Sequence, residues 1–161
     1  MKARIRIYPF FIVLVAMLTV FIVPSMAQEK PADNMQLVRE KIKTDKKLFI
    51  AQNMNLTESE AKVFWPVYED YQKELGKLVE KTVKLIDNYA TNYQTMTEEA
   101  AKELINGYLV IEGERVTLMK SFLPKFRKVL SEKKVARYYQ LENKIDAVVN
   151  YGLAKQIPLV K

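Results

Sequence analysis

Two residue types, cysteine and histidine, are absent from this chain of 161 residues. Their absence excludes disulfide bonds, thiolate metal sites and haem attachment through a Cys-x-x-Cys-His motif. It also excludes Ser-His-Asp and Cys-His catalysis, and di-iron helical bundles that use a Glu-x-x-His motif. Whatever fold the chain adopts must therefore be stabilised by packing.

Glycine and proline are scarce, with four and six residues in the whole chain. Turns and irregular loops depend on these residue types, and no segment shows the apolar–polar alternation of a strand. We therefore predict an all-α fold.

Without cysteine and histidine, any enzymatic chemistry would have to rest on carboxylates, lysine and tyrosine. Glycosidases need only two carboxylates, but the acidic residues here lie beside lysines on helical surfaces, whereas catalytic groups gather on loops. There is also no glycine-rich loop that would hold a nucleotide phosphate. We expect no enzymatic activity and no cofactor.

The first 27 residues have the pattern of a signal peptide. Three basic residues precede an apolar run over residues 7–23, and Ser25 and Ala27 supply small side chains before a cleavage site. Cleavage would export a single all-helical domain, residues 28–161, to the periplasm. The apolar run is close to the ~20 residues that span a bilayer, so an uncleaved membrane anchor is the alternative.

The net charge of +7 comes partly from this leader. Without its three basic residues the chain has 23 Lys and Arg against 19 Asp and Glu, a net charge of +4. This balance is too even to indicate nucleic-acid binding. We predict no nucleic-acid partner.

Two similar segments stand 74 residues apart: Leu-Thr-Glu-Ser-Glu at residues 56–60 and Leu-Ser-Glu-Lys-Lys at residues 130–134. Each combines a leucine, a hydroxyl residue able to cap a helix and an acid in the first turn. An aromatic pair follows each copy, at residues 64–65 and 138–139. Each copy is therefore expected to open an amphipathic helix.

The apolar pattern predicts four helices. They cover residues 33–52, residues 57–94, a segment beginning at Thr97, and residues 131–153, the last ended by Gly152 and Pro158. Thr57 and Glu60 are expected to form a capping box at the second helix. Since only a tight turn separates the second and third helices, they should form a long antiparallel hairpin. Pro66 and Pro124 predict bends, or alternatively Pro66 is tolerated near a helix start and Pro124 marks a helix end.

Candidate core positions follow from the spacing. In the second helix they are Phe64, Tyr68, Tyr71, Leu75, Leu78, Thr82, Leu85 and Tyr89. In the third they are Leu104, Tyr108, Ile111, Arg115, Leu118 and Phe122. The first and fourth helices offer Leu37, Ile42, Leu48 and Phe49, and Val135, Tyr138, Tyr139, Leu141, Ile145, Val148 and Val149.

The doubled segment resembles the LTxxQ motif of the Spy- and CpxP-like periplasmic proteins, over roughly residues 54–150. The motif's glutamine falls on Glu60 and Lys134, and Ser131 replaces the second threonine. This family includes ATP-independent chaperones, envelope-stress regulators and metal sensors. The resemblance implies a bent four-helix protomer that forms a homodimeric cradle. Because the metal sensors use histidine and the methionines here are scattered, we predict no metal site.

One basic segment, residues 120–137, stands out as a candidate client-binding surface, because positive charge speeds encounter with unfolded chains and apolar contact retains them. Its candidate residues are Lys120, Phe122, Lys125, Phe126, Arg127, Lys128, Lys133, Lys134 and Arg137. The same surface would also suit anionic lipid. The alternative is that Phe122 and Phe126 belong to the core and the cations form a solvated face.

Together with the export signal, the resemblance to the Spy-like proteins implies an ATP-independent chaperone-like protein of the periplasm that binds unfolded or misfolded envelope proteins. A second hypothesis is a regulatory or sensor subunit that docks on a membrane signalling partner. A third, a membrane-associated structural helix pair, applies if the leader is retained.

Overall fold

A computed structural model describes residues 31–160, and for residues 31–42 it describes the backbone alone. Four α-helices lie in this range: α1 Pro31–Met54, α2 Glu58–Asn92, α3 Glu98–Val129 and α4 Glu132–Gln156. A 3₁₀ turn, Tyr93–Thr95, follows α2. No strand occurs between residues 31 and 160, so the all-α prediction is confirmed.

The leader predicted at residues 1–27 lies outside the described residues. The helices over residues 31–160 include none that combines the length and the apolar character needed to cross a membrane. The chain divides between Lys41 and Ile42 into two units. Of the first, only the helical backbone of residues 31–41 is described. All the contacts below belong to the second unit, and the single domain predicted over residues 28–161 stays a prediction.

Hydroxyl residues occupy the N-caps of α2, α3 and α4. The capping box is confirmed, because the Glu60 N–H donates to Thr57 Oγ1 at 3.3 Å while the Thr57 N–H donates to Glu60 Oε2 at 2.8 Å. Thr97 Oγ1 accepts from the Ala100 N–H at 3.2 Å. Ser131 holds the N-cap position of α4, but its side chain makes no capping hydrogen bond.

Helices α2 and α3 form the expected antiparallel hairpin. The rings of Phe64 and Phe126 lie 6.0 Å apart, and Lys81 Nζ lies 2.6 Å from Glu114 Oε2 farther along. As residue numbers rise along α2, those of its partners fall along α3. At 1.5 Å per residue, each helix extends for about 50 Å.

Helix α4 returns beside α2 in the same direction. Near its start the Tyr138 ring contacts the Phe64 ring at 5.4 Å. Past its end, the Pro158 carbonyl accepts a hydrogen bond from Tyr89 Oη at 2.6 Å. The last turns of α1 also pack on this group, since Lys46 Nζ lies 2.7 Å from Glu142 Oε2 of α4.

The core is aromatic and gathers where α1 ends and α2 and α4 begin. Its buried members are Ile50, Met54, Phe64, Tyr68, Tyr71, Leu75, Leu78, Phe122, Phe126, Leu130, Val135, Tyr138 and Leu141. Tyr138 is fully buried and its ring lies 4.6 Å from that of Phe126. Aromatic pairs of this kind each contribute about 0.5–1.5 kcal/mol beyond area burial.

The two predicted core residues of α1 whose side chains are described, Leu48 and Phe49, are not buried, so this prediction is wrong. Leu48 and Phe49 are 54% and 37% exposed, whereas Ile50 and Met54 are buried. The reason is Lys46, which shares the four-residue spacing of Ile50 and Met54 and carries its charge to Glu142. Because Lys46 is polar, the four-residue spacing of the buried positions in α1 could not be recognised from apolar residues alone. The side chains of Leu37 and Ile42 lie outside the described residues.

Three other predicted core residues are exposed: Tyr108, Val148 and Val149. Tyr108 lies at an open groove, and the two valines of α4 are 73% and 51% exposed. Both prolines lie inside continuous helices, so Pro124 does not end α3.

Gly152 does not end α4 either. The helix continues through this glycine to Gln156 and ends shortly before Pro158.

Candidate binding surfaces

The basic segment forms the turn between α3 and α4, which we call the basic turn, residues 120–137. Six of its cations are exposed: Lys120, Lys125, Arg127, Lys128, Lys133 and Arg137. Phe122 and Phe126 are buried in the core, so they cannot retain a client at the surface. Their four-residue spacing aims both rings at Tyr71 of α2. For these two residues the core alternative is correct.

Two of the cations hold the end of α1 in place. Lys134 Nζ donates to the Asn55 carbonyl at 3.1 Å, and Arg137 Nε donates to the Asn53 carbonyl at 2.5 Å. The last carbonyls of a helix have no partner within the helix and favour positive charge. Lys134 also pairs with Glu60, and this hydrogen bond holds the pKa of Glu60 below its usual value. Lys134 and Arg137 are therefore structural residues.

Two more cations interact within the turn itself. Arg127 Nε lies 2.9 Å from Glu132 Oε1, joining the end of α3 to the start of α4. Lys125 Nζ lies 4.0 Å from the centre of the Phe122 ring. Lys120, Lys128 and Lys133 make no ion pair or side-chain hydrogen bond with any described residue. These three lysines are the cations most available to a partner.

The two copies of the doubled segment meet each other. Glu60 and Lys134, the fifth residue of each copy, form the ion pair between α2 and α4. Phe64 and Tyr138, which also differ by 74 positions, make an edge-to-face ring contact. The repeat thus sets the register of two parallel helices. The equal offset was visible in the sequence, but that equivalent residues touch was not.

A buried polar cluster joins three helices, and sequence reasoning missed it. Glu142 is only 4% exposed, and its Oε1 accepts from Gln72 Nε2 at 3.0 Å while Oε2 faces Lys46. Gln72 Nε2 also donates to Tyr138 Oη at 3.3 Å. Burial, followed by the nearby Glu142 charge, raises the pKa of Tyr138. Because an unpaired buried charge is costly, this cluster fixes α1 and α4 on α2.

An apolar groove lies at the other end of the hairpin, near the turn between α2 and α3. It has a volume of about 310 Å³. Its walls come from Leu85, Ile86 and Tyr89 of α2, Leu104, Ile105 and Tyr108 of α3, and residues 157–160. We call residues 157–160 the C-terminal tail. Sequence reasoning did not predict the groove.

A row of exposed apolar side chains, which we call the α3 stripe, runs along α3. Its members are Ile105, Tyr108, Leu109, Val116 and Met119. Their spacing of three, four and seven places them on one helical face. Glu112 also lies on this face, among the apolar members of the stripe. Val110 is about as exposed as Leu109 but lies on another face of α3.

No three potential metal-ligating side chains among His, Cys, Asp and Glu cluster within the part of the chain that the structure describes. The described residues present two kinds of surface: the basic turn, and the exposed apolar side chains of the groove and the α3 stripe. No protein-family model, curated protein or solved structure matches this chain.

Proposed function

We propose that this chain is an exported, ATP-independent chaperone-like protein that binds unfolded or misfolded envelope proteins. The observation that carries the proposal is the α3 stripe. It leaves five large apolar side chains exposed on one helical face of the described chain. Clustered, exposed apolar side chains often mark interaction sites in soluble proteins, and here they flank the single charge of Glu112. The signal-peptide pattern and the family resemblance supply the compartment.

Apolar contact is well suited to clients of unrelated sequence. From Ile105 to Met119 the stripe extends for about 21 Å along the helix axis. Burying apolar surface yields about 25 cal/mol per Å², without the directional requirement of a hydrogen bond. The unpaired lysines of the basic turn add attraction over a longer range. Together they favour weak capture of exposed chains.

The test is the aggregation of several unrelated unfolding proteins, measured by light scattering without ATP. The parent protein should slow aggregation of each client. The double variant Leu109→Ser with Val116→Ser should protect several-fold less, because it interrupts the stripe. Val110→Ser is the matched control, since Val110 is 58% exposed on the same helix but on another face. Equal protection by the double variant and the control would reject the stripe as the client surface.

A regulatory subunit of a membrane signalling protein is the second candidate. It is favoured by the grouping of Lys120, Lys128 and Lys133 at one turn, which would suit a single acidic partner surface. Cross-linked pull-down from envelope extracts separates the two candidates. A chaperone should recover many proteins, and a regulator should recover one. Homodimerisation stays a prediction for either candidate.

A further inference from the structure

The basic turn concentrates positive charge at one end of the hairpin. It contains seven basic residues against one acid, Glu132. Two acids at this end are already paired, Glu132 with Arg127 and Glu60 with Lys134. Glu58, in the first turn of α2, is a third acid there, and it leaves a clear excess of positive charge. The three lysines without a described partner are therefore not neutralised.

These unpaired lysines point away from the core. On α3, Lys120 and Lys128 lie about two turns apart, which is about 12 Å along the helix axis. Both lie on the side of the helix opposite Phe122 and Phe126, whose rings are buried. Lys133 is exposed in the first turn of α4. The ammonium groups are thus presented to the outside on both helices that the turn connects.

The basic turn exposes no large apolar side chain. Along the described chain, the exposed large hydrophobic residues stop at Met119 and resume at Val148. Protein–protein interfaces are depleted in lysine and have aromatic and apolar side chains at their centre. An anionic membrane needs no such centre, because clustered lysines and arginines are attracted to many head groups at once. The composition of the turn therefore favours a lipid surface over a protein partner.

We propose that the basic turn docks the protein on an anionic phospholipid surface. The attraction falls off within a Debye length, about 8 Å at physiological ionic strength, so only the end that carries the turn is held at the membrane. Helix α3 then leads away from the head groups for about 50 Å, toward the apolar groove. This docking goes beyond the proposed function and does not depend on it, because no client takes part.

Vesicle sedimentation with the full chain measures the docking. Vesicles of phosphatidylethanolamine and phosphatidylglycerol carry the negative charge, and vesicles of phosphatidylethanolamine and phosphatidylcholine give the uncharged baseline. This baseline includes any binding through the apolar leader. The parent should bind the anionic vesicles above the baseline at low salt. The excess should disappear near 1 M salt, where the Debye length is about 3 Å.

Two triple variants locate the charge that matters. The test variant carries Lys120→Ser, Lys128→Ser and Lys133→Ser. The control variant removes the same charge at the other end of the hairpin, through Lys84→Ser, Lys102→Ser and Lys155→Ser. The test variant should bind anionic vesicles at least about tenfold more weakly, since each basic residue near such a surface contributes about fivefold. The control should lose less than about twofold, because its sites lie beyond a Debye length from the docked surface.

A second measurement reads the orientation of the docked protein. Because the chain has no cysteine, one introduced cysteine carries a single fluorophore. Ser131→Cys places it in the basic turn, and Thr95→Cys places it in the turn between α2 and α3, both at exposed positions. A quencher on the lipid head groups should quench the label at position 131 and leave that at position 95 nearly unchanged. Circular dichroism and sedimentation check that each labelled chain is helical and bound.

Equal vesicle binding by the test and control variants, or equal quenching at the two labelled positions, would overturn the inference. Release from the vesicles by polyglutamate or by a DNA oligonucleotide of the same total charge would assign the turn to a soluble polyanion and overturn it as well. Failure of the proposed function has a different signature, because the parent would then protect no client from aggregation while its binding to vesicles persisted.

Discussion

Tyr138 is the residue on which most of the core converges. Its ring contacts Phe64, Phe126 and Tyr71, and its hydroxyl accepts from Gln72. Tyr68 and Tyr71 are buried beside it. Burial first, and then the charge of Glu142, raises the pKa of all three tyrosines above the usual value of 10. The native state therefore keeps three phenols protonated at a pH where the unfolded chain releases their protons.

This arrangement predicts steep alkaline unfolding. The stabilisation from the three tyrosines is fully present below pH 10, the unfolded value, and is lost as the pH rises toward the folded pKa. Each tyrosine should lower the free energy of unfolding by about 1.4 kcal/mol per pH unit in that window. A titration followed by helical circular dichroism and by tyrosinate absorbance measures this dependence.

Tyr138→Phe provides the comparison, because it removes one titrating phenol from the core. The variant should lose stability less steeply above pH 10, by about 1.4 kcal/mol per pH unit for the one phenol removed. Tyrosinate absorbance from all nine tyrosines near pH 10, in a chain that is still fully helical, would contradict the account.

The helices α2 and α4 begin with similar sequences but are stabilised differently. Thr57 and Glu60 exchange hydrogen bonds at the start of α2. At the start of α4, the side chain of Ser131 makes no capping hydrogen bond, and Lys134 replaces the acid that would complete a box. Lys134 instead reaches across to Glu60. The second copy therefore lacks a side-chain cap, and its fifth residue pairs with the fifth residue of the first copy.

The first element-scale prediction follows from this difference. Thr57→Ala should lower the free energy of unfolding by about 1 kcal/mol, because it removes a working N-cap. Ser131→Ala should change it by less than about 0.5 kcal/mol, since no side-chain cap is lost. Urea unfolding of each variant measures its change in the free energy of unfolding. Equal destabilisation by the two substitutions would show that the caps are equivalent.

A second prediction compares two glycines of α3. A Cβ at Gly113 would meet nothing within 4 Å, whereas one at Gly107 would lie 2.9 Å from Leu85 Cδ1. Gly113→Ala should therefore stabilise the chain by about 1 kcal/mol, the helix-propensity difference. Gly107→Ala should gain about half of this or less, because the Leu85 side chain must move. Thermal unfolding measures both, and an equal gain would mean that α2 and α3 are less close there.

At the scale of elements, periodicity predicted the fold well where one face of a helix packs on apolar neighbours. The four-three spacing from Phe64 to Leu78 is such a case, and every one of its positions is buried. It failed at α1, where Lys46 occupies a core-facing position because Glu142, nearly 100 residues away, pairs with it. A helical pattern cannot reveal a buried ion pair between distant segments. It also cannot tell a groove residue such as Tyr108 from a core residue.

For the molecule as a whole, the basic turn and the apolar groove lie near opposite ends of α3, and the α3 stripe runs between them. The charge cluster could be read from the sequence. The inward orientation of Phe122 and Phe126 could not be read from the sequence, because an apolar residue within a basic segment fits a surface or a core equally well. Likewise, the groove depends on where the C-terminal tail folds back.

The unpaired lysines give a whole-molecule prediction. Substituting Lys120, Lys128 and Lys133 together by serine should slow association with an unfolded, acidic client several-fold at low salt. The difference should disappear near 1 M salt, where the Debye length is about 3 Å. The free energy of unfolding should change by less than about 1 kcal/mol, because these lysines form no described pairs. Stopped-flow fluorescence measures the association rate.

The control replaces Lys84, Lys102 and Lys144, which are exposed and carry the same total charge. This second triple variant should associate faster than the first at low salt. If the two triple variants associate with the client at equal rates, the effect depends on net charge and not on the position of the basic turn.

The measurement that tests the central proposal most directly is site-specific photo-cross-linking to an unfolded client. A photoreactive residue is placed at position 109 in one sample and at position 110 in another, two sites with nearly equal exposure on different faces of α3. The account predicts strong cross-links to several unrelated clients from position 109 and few from position 110, and competition by unlabelled client. Equal cross-linking from both positions, or none from position 109 while clients are bound, would contradict the α3 stripe as the surface that holds unfolded chains.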